Sequence, residues 1–184
     1  MSQKQNKTLR ICCVALCAAM YVPMSLYLAV NIGTVRISFA SLPTVVMALL
    51  FGPVDAVFTA LIGEFCKQLL TYGITYTTVF YLIPPALRGL CIGLFTLAMK
   101  KQGKRPEQYR WMLYVVCSIA ATLTTIGNTL VNWLDSILFN YYTPALIFGG
   151  MAYRFVIGII TAIVVATAAI PLVKLLRKQP ALRQ

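Results

Sequence analysis

The sequence contains no histidine and only four acidic residues among its 184 positions. Histidine and carboxylate side chains supply most protein metal sites and most general acids and bases, so the chain has few groups for either chemistry. The motifs H-E-x-x-H and G-x-S-x-G and the Walker phosphate loop do not occur. We therefore expect a protein that is not an enzyme and that binds no metal and no cofactor.

The sequence has no Cys-x-x-Cys pair, although it contains six cysteines. All six lie in apolar runs, where cysteine behaves as a small hydrophobic residue. This placement indicates neither a disulfide framework nor a zinc site.

Charged residues are also scarce, at 11% of the chain, whereas hydrophobic residues make up 60%. Soluble domains average about a quarter charged residues, so the composition indicates an integral membrane protein. The length allows about six spans of roughly 20 residues. The fold class predicted is an all-α bundle of six transmembrane helices, forming a single transmembrane domain over residues 1–184. The predicted spans are about residues 9–30, 37–51, 54–72, 79–99, 112–139 and 147–176.

Most of the net charge of +12 lies in three basic clusters, at residues 4–10, 100–110 and 174–183. Cytoplasmic ends of membrane helices carry an excess of lysine and arginine, so all three clusters should be cytoplasmic. Four spans before the second cluster and two after it satisfy this requirement and place both termini in the cytoplasm. Clusters beside membrane spans contact lipid headgroups. We therefore expect contact with the bilayer and no nucleic-acid binding.

A second set of charges lies inside or beside the predicted spans. Such charges are costly in a membrane and usually mark a substrate or ion path. At 1.5 Å of rise per residue, this set falls in the outer half of the bundle. It contains four basic and two acidic residues: Arg36, Lys67, Arg88, Arg154, Glu64 and Asp135.

Two interpretations of these charges remain open. In the first, the charges only pair, Glu64 with Lys67 or Arg88 and Asp135 with Arg154. Pairing would still leave two cations without an acid, which is unfavourable at low dielectric unless an anion binds. The second interpretation is therefore a pocket, open to the outside, that takes an anionic or carboxylate-bearing solute.

Further polar and aromatic residues fall near the same depth. Asn128, Asn132 and Asp135 recur at helical spacing on one face. Tyr76 and Tyr81 near the outer rim could stack on a flat ring, although aromatic residues also form belts at membrane interfaces. Asp55, which follows Pro53, is expected in the first turn of a helix, as a capping residue.

Residues 36–55, with the sequence RISFASLPTVVMALLFGPVD, resemble the second and third helices of the substrate-binding subunits (S components) of energy-coupling factor (ECF) vitamin transporters. The basic start followed by Ala15-x-x-x-Ala19 is similar to their first helix. The segment Ala-Leu-Arg-Gly-Leu at residues 86–90 resembles the fourth helix of the folate group. The resemblance covers nearly the whole chain.

The resemblance implies a subunit of an ABC importer in the bacterial cell membrane. It would capture a vitamin, folate in the nearest group, from outside the cell for ATP-driven uptake. Its partners would be a membrane coupling (T) subunit and two cytoplasmic ATPases. Ala15 and Ala19 would form the small face that contacts the coupling subunit, and the loops at residues 31–36 and 72–78 would cover the pocket.

On this basis, Arg88 and Arg154, helped by Lys67, are predicted to hold the vitamin's carboxylates, while Asn128, Asn132 and Asp135 hydrogen-bond its ring. Other substrates also fit the residues, namely pantothenate or another anionic vitamin precursor. A different class, a non-transport membrane scaffold whose charges are merely paired, fits as well. The full predicted substrate-binding set is Arg36, Glu64, Lys67, Tyr76, Tyr81, Arg88, Asn128, Asn132, Asp135 and Arg154.

Overall fold

Helices form most of the chain in a computed structural model that describes residues 2–32 and 35–179. Each predicted span corresponds to one of the helices α1–α5 and α7, and α6 is a short additional helix. A single 3-10 turn, Pro106–Gln108, precedes α5. The helices are α1 (Ser2–Leu26), α2 (Ser41–Leu50), α3 (Pro53–Tyr72), α4 (Thr78–Lys101), α5 (Arg110–Leu138), α6 (Pro144–Phe148) and α7 (Met151–Leu176).

Four helical segments among the described residues are long and apolar enough to cross a membrane: Lys7–Leu26, Thr78–Lys101, Arg110–Leu138 and Met151–Leu176. The remaining predicted spans correspond to α2 and α3. Helix α3 has 20 residues but carries Asp55, Glu64 and Lys67. Helix α2 has 10 residues, a length of about 15 Å against a hydrocarbon core of about 30 Å, so α2 alone cannot cross a bilayer.

Helix α2 lies inside the bundle and not at its edge. All of its residues except Leu42 are buried, and it packs against α1, α3, α4 and α7. The core around it includes Met47, Leu49, Ile92 and Leu113. The predicted second span, residues 37–51, is therefore a short helix packed on all sides by its neighbours.

Two cations cover the C-terminal end of α2. The Nζ of Lys100 donates to the Leu50 carbonyl at 2.8 Å, and Nη2 of Arg177 donates to the Leu49 carbonyl at 2.9 Å. Arg177 also forms an ion pair with Glu107, with Nη1 and Oε1 2.9 Å apart. Because the last carbonyls of a helix lack partners within the helix, these cations stabilise its end and tie it to α4 and α7.

Asp55 lies in the first turn of α3, as predicted, but does not act as a cap. The α3 N-terminus has no side-chain capping hydrogen bond. Instead, Nε of Arg10 in α1 donates to Asp55 Oδ2 at 3.0 Å. We call this end of the bundle, with residues 7–10, 100–110 and 174–178, the basic end.

The opposite end carries a β-hairpin where a loop was predicted. Strands β1 (Ala29–Ile32) and β2 (Val35–Ser38) pair antiparallel, with Ala29 opposite Ser38. Two predicted boundaries are therefore wrong: the first helix ends at Leu26 and not near residue 30, and the second begins at Ser41 and not at residue 37. A third boundary is wrong at the last span, whose long helix begins at Met151 and not at residue 147. Gly33 of the predicted loop lies outside the described residues.

Candidate functional site

A cavity of about 880 Å³ opens in the half of the bundle away from the basic end. Its walls come mainly from the C-terminal halves of α1 and α3, the N-terminal halves of α2, α4 and α7, and α5 from Cys117 to Asp135, with Ser38 of β2 beside them. Core residues Val45, Ile92 and Val165 line it as well. The apolar core thus closes the cavity on the side of the basic end.

The helical spacing of the polar residues brings most of the predicted site together. Tyr76 is an exception, because it is 94% exposed in the loop after α3 and does not line the cavity. The side chain of Arg36 lies outside the described part of the structure. The predicted residues that line the cavity are Glu64, Lys67, Tyr81, Arg88, Asn128, Asn132, Asp135 and Arg154.

Glu64 is the centre of a hydrogen-bond network on one wall. Its Oε2 accepts from the Tyr21 hydroxyl at 2.7 Å, and its Oε1 accepts from Lys67 Nζ at 2.7 Å and Gln68 Nε2 at 2.9 Å. A Cβ added at Gly63 would lie 2.6 Å from Cγ of Tyr21, so only glycine lets this ring lie against α3. Lys67 is therefore neutralised by Glu64, one of the two pairings that the sequence left open for this acid.

Arg88 and Arg154 have no acidic partner among the described residues. The ion pairs found there join Arg10 to Asp55, Lys67 to Glu64 and Arg177 to Glu107. The alternative pairing of Arg154 with Asp135 is thus not formed. Nε of Arg88 donates to Thr124 Oγ1 at 3.2 Å, which leaves its other guanidinium donors available to a molecule in the cavity.

The described cavity wall carries three basic and two acidic side chains. Its formal excess is therefore one positive charge, smaller than the excess of two predicted when Arg36 was included. Neutral hydrogen-bonding groups are more numerous than charged ones. They include Ser25, Ser41, Gln68, Thr75, Thr125, Asn128, Thr129, Asn132 and Thr161.

Tyrosines contribute hydrogen bonds near the cavity mouth. The Tyr81 hydroxyl donates to Asn132 Oδ1 at 2.9 Å and so joins α4 to α5. The hydroxyl of Tyr141, in the segment after α5, donates to the Asp135 carboxylate. This hydrogen bond, with a smaller effect of desolvation, raises the pKa of Tyr141 to about 12, so the phenol keeps its proton at neutral pH.

Several lining residues were not predicted from the sequence. Tyr21 and Ser25 lie in the apolar run of α1, and Ser38 and Ser41 flank the turn from β2 into α2. Thr124 and Thr129 lie in α5 beside the predicted polar stripe. For these two, the spacing was a usable signal, because Thr124 lies four residues before Asn128 and Thr129 lies three residues before Asn132.

Ala15 and Ala19, the predicted partner face, lie on the exposed side of α1, whereas Ala18 is 3% exposed. The first helix therefore presents two small side chains outward while its other side packs against the bundle.

The family model described as "ECF-type riboflavin transporter, S component" matches residues 5–178, nearly the whole chain. No curated protein matches the sequence.

Proposed function

The chain belongs to the family of ECF-type riboflavin transporter S components, and on that premise we propose that it captures riboflavin, or a vitamin with a similar ring, for import. It is accordingly a multi-pass membrane protein of a transporter family and not of an enzyme family. The observation that carries the proposal is the 880 Å³ cavity with its wall of neutral hydrogen-bonding side chains and a single excess positive charge.

Riboflavin combines a flat, uncharged ring with a chain of hydroxyl groups. Ring carbonyls accept hydrogen bonds, and Arg88 has donors to offer them beyond its bond to Thr124. Asn128 and Asn132 offer both donors and acceptors, which suits a ring edge that carries both. The hydroxyl chain suits the serine and threonine side chains of the wall, since buried polar groups need partners on both molecules.

Folate is the second candidate substrate, and it is the one that the sequence resemblance favoured. The specific observation in its favour is that neither Arg88 nor Arg154 has an acidic partner within the described residues. A carboxylate pair could neutralise both guanidinium groups. Against it, Lys67 is already paired with Glu64, so the predicted third cation is not free.

The proposal also covers the orientation of the chain in the membrane and its partner subunits. We propose that both termini and the basic end face the cytoplasm, that the cavity opens outward, and that a coupling subunit and two ATPases drive release of the vitamin inside. Supporting this orientation, the basic clusters all fall at one end of the bundle and the cavity at the other.

Calorimetry and thermal unfolding of the detergent-purified chain test which vitamin binds. Riboflavin should raise the unfolding temperature, and the fluorescence of riboflavin should fall when it binds. Folate and pantothenate should leave the unfolding temperature unchanged. A shift with folate alone would replace the first candidate by the second. No shift with any vitamin would favour the scaffold alternative and contradict the proposal.

Replacement of Arg88 tests the cation at the site. Arg88→Gln should weaken riboflavin binding about 10- to 100-fold, because it removes a charged hydrogen-bond donor from a desolvated site. Calorimetric titration gives the affinity, and Lys101→Gln, which removes an exposed charge at the basic end, is the control. Equal affinity of wild type and Arg88→Gln would exclude Arg88 from substrate binding.

A further inference from the structure

A second cleft lies at the basic end, between the start of α5 and the end of α7. Its volume is about 250 Å³, and it is lined by Arg110, Tyr114, Thr167, Ile170, Pro171 and Lys174. None of these residues lines the vitamin cavity. We infer that this cleft binds the headgroup of an anionic phospholipid of the phosphatidylglycerol class.

The charge of the cleft selects an anion. Arg110 and Lys174 are its only ionisable residues apart from the Tyr114 phenol, and no acid lines it. Over residues 2–32 and 35–179, neither cation takes part in an ion pair. Two cations that share a small cleft repel each other, and a phosphate diester between them neutralises that repulsion while accepting hydrogen bonds from both.

The position of the cleft selects a lipid over a soluble anion. Arg110 is the first residue of α5 and Lys174 lies in the last turn of α7, so both belong to the ends of membrane-spanning helices. Trp111 is 84% exposed, and its ring packs edge-on against that of Tyr114, with the ring centroids 6.4 Å apart. Exposed tryptophan beside tyrosine and basic residues is typical of the headgroup level of a bilayer.

The uncharged groups of the cleft select the type of headgroup. The Tyr114 hydroxyl lies 3.3 Å from Thr167 Oγ1. Pro171 has no N–H to donate to the carbonyl four residues earlier, that of Thr167. These oxygens can accept hydrogen bonds from the hydroxyls of a glycerol headgroup. Choline and ethanolamine headgroups carry a cation, which Arg110 and Lys174 would repel.

Native mass spectrometry of the delipidated full chain tests the site. Phosphatidylglycerol should be retained in preference to phosphatidylcholine with the same acyl chains. The variant Arg110→Gln/Lys174→Gln should bind phosphatidylglycerol about 25-fold more weakly, about fivefold for each charge. The matched control Lys101→Gln/Lys178→Gln removes two exposed charges of the same end outside the cleft, and its affinity should change less than about threefold.

A second variant keeps the test decisive if the double variant does not fold. Tyr114→Phe keeps both charges and the ring, and it should weaken phosphatidylglycerol binding about fivefold through loss of one hydrogen bond. Its affinity for phosphatidic acid, which has no headgroup hydroxyls, should stay within about twofold of wild type.

Four results would overturn the inference. Equal retention of phosphatidylcholine, or an equal loss in the control variant, would mean that no headgroup site exists. Full displacement of the lipid by inorganic phosphate would assign the cleft to a soluble anion. Unchanged lipid binding with loss of co-purification of the coupling subunit, in the Arg110→Gln/Lys174→Gln variant, would assign the cleft to a protein contact.

Discussion

Glu64 accepts hydrogen bonds from three side chains on two helices, and this places an ionised acid where its charge is matched within the protein. Glu64 is 5% exposed and Lys67 is only partly exposed, so a change at Glu64 alters a largely desolvated set of partners. Lys67 depends on Glu64 for its counter-charge, whereas Glu64 also has Tyr21 and Gln68 as donors. The two residues should therefore respond unequally to substitution.

Glu64→Gln should lower the free energy of unfolding by about 3 kcal/mol, because it leaves the ammonium group of Lys67 without its anion. Lys67→Met should cost less, since Glu64 keeps two donors. The double variant Glu64→Gln/Lys67→Met should recover most of the loss, because no unpaired charge remains. Reversible unfolding in mixed micelles, without vitamin, measures these values.

Lys101→Met is the control for the loss of one positive charge, since Lys101 is exposed. A double variant no more stable than Glu64→Gln alone would mean that the Lys67 charge is tolerated without its partner.

Residue identities in the cavity were predictable where the signal was local. Lys67 and Gln68 follow Glu64 by three and four positions, and Asn128, Asn132 and Asp135 are spaced by four and three, which puts each set on one helix face. Tyr21 was not predictable in this way. Its bond to Glu64 joins residues 43 positions apart, and its neighbours in α1 give no polar periodicity.

At the scale of elements, α1 combines a packed side with an outward side of small residues. Ala18 and Tyr21 are buried, while Ala15 and Ala19 are exposed. Small residues let another membrane helix approach closely, which is the basis for proposing this face as the contact with the coupling subunit.

Ala15→Trp and Ala19→Trp should separate capture from transport. Each indole would extend into lipid or detergent in the isolated subunit, so riboflavin affinity should stay within about twofold of wild type, while a helix could no longer approach closely. ATP-dependent uptake of radiolabelled riboflavin by cells with the whole transporter should fall at least about tenfold.

Val115→Trp on α5 is the matched control, because Val115 is 55% exposed on a different helix. Uptake by this variant should remain near the wild-type level. Loss of vitamin binding in Ala15→Trp and Ala19→Trp, or normal uptake by both, would contradict the assignment of α1 as the partner face.

Helices α1–α5 and α7 were predictable as elements because each lies in an apolar run, whereas the position of α2 inside the protein core and the hairpin were not. The run 37–51 reads as a short span, and its apolar residues suit lipid and a protein core equally well. Only the packing of α1, α3, α4 and α7 around this run shows that it lies in the protein core and not in lipid. Hairpin pairing joins Ala29 to Ser38, which leaves a short strand on each side of the turn and a weak alternation signal.

The described part of the molecule is polarised, with the cavity at one end and the basic end at the other. This arrangement follows from antiparallel helices, since consecutive spans return the chain to the same end after every second crossing. The sequence allowed that alternation to be predicted from three basic clusters. Which side of the membrane each end faces is a separate question, and the proposed capture from outside requires the cavity end to face outward.

Labelling of single cysteines decides this orientation. Tyr76 is 94% exposed in the segment between α3 and α4, and Gln102 is exposed just after α4. Because α4 alone, a helix of 24 residues, separates the two positions, they should lie on opposite sides of the membrane. In a background with the six native cysteines replaced, Tyr76→Cys should react with an impermeant maleimide in intact cells. Gln102→Cys should react only after permeabilisation.

The possible outcomes bear on function in different ways. Reaction of both positions from outside would mean that α4 does not cross the bilayer, against its length and apolar composition. Reversed labelling would place the basic clusters outside, against the charge bias of membrane proteins, and would open the cavity to the cytoplasm. In that orientation Arg88 and Glu64 could not meet a vitamin arriving from outside, so capture would be excluded even if the purified subunit binds riboflavin.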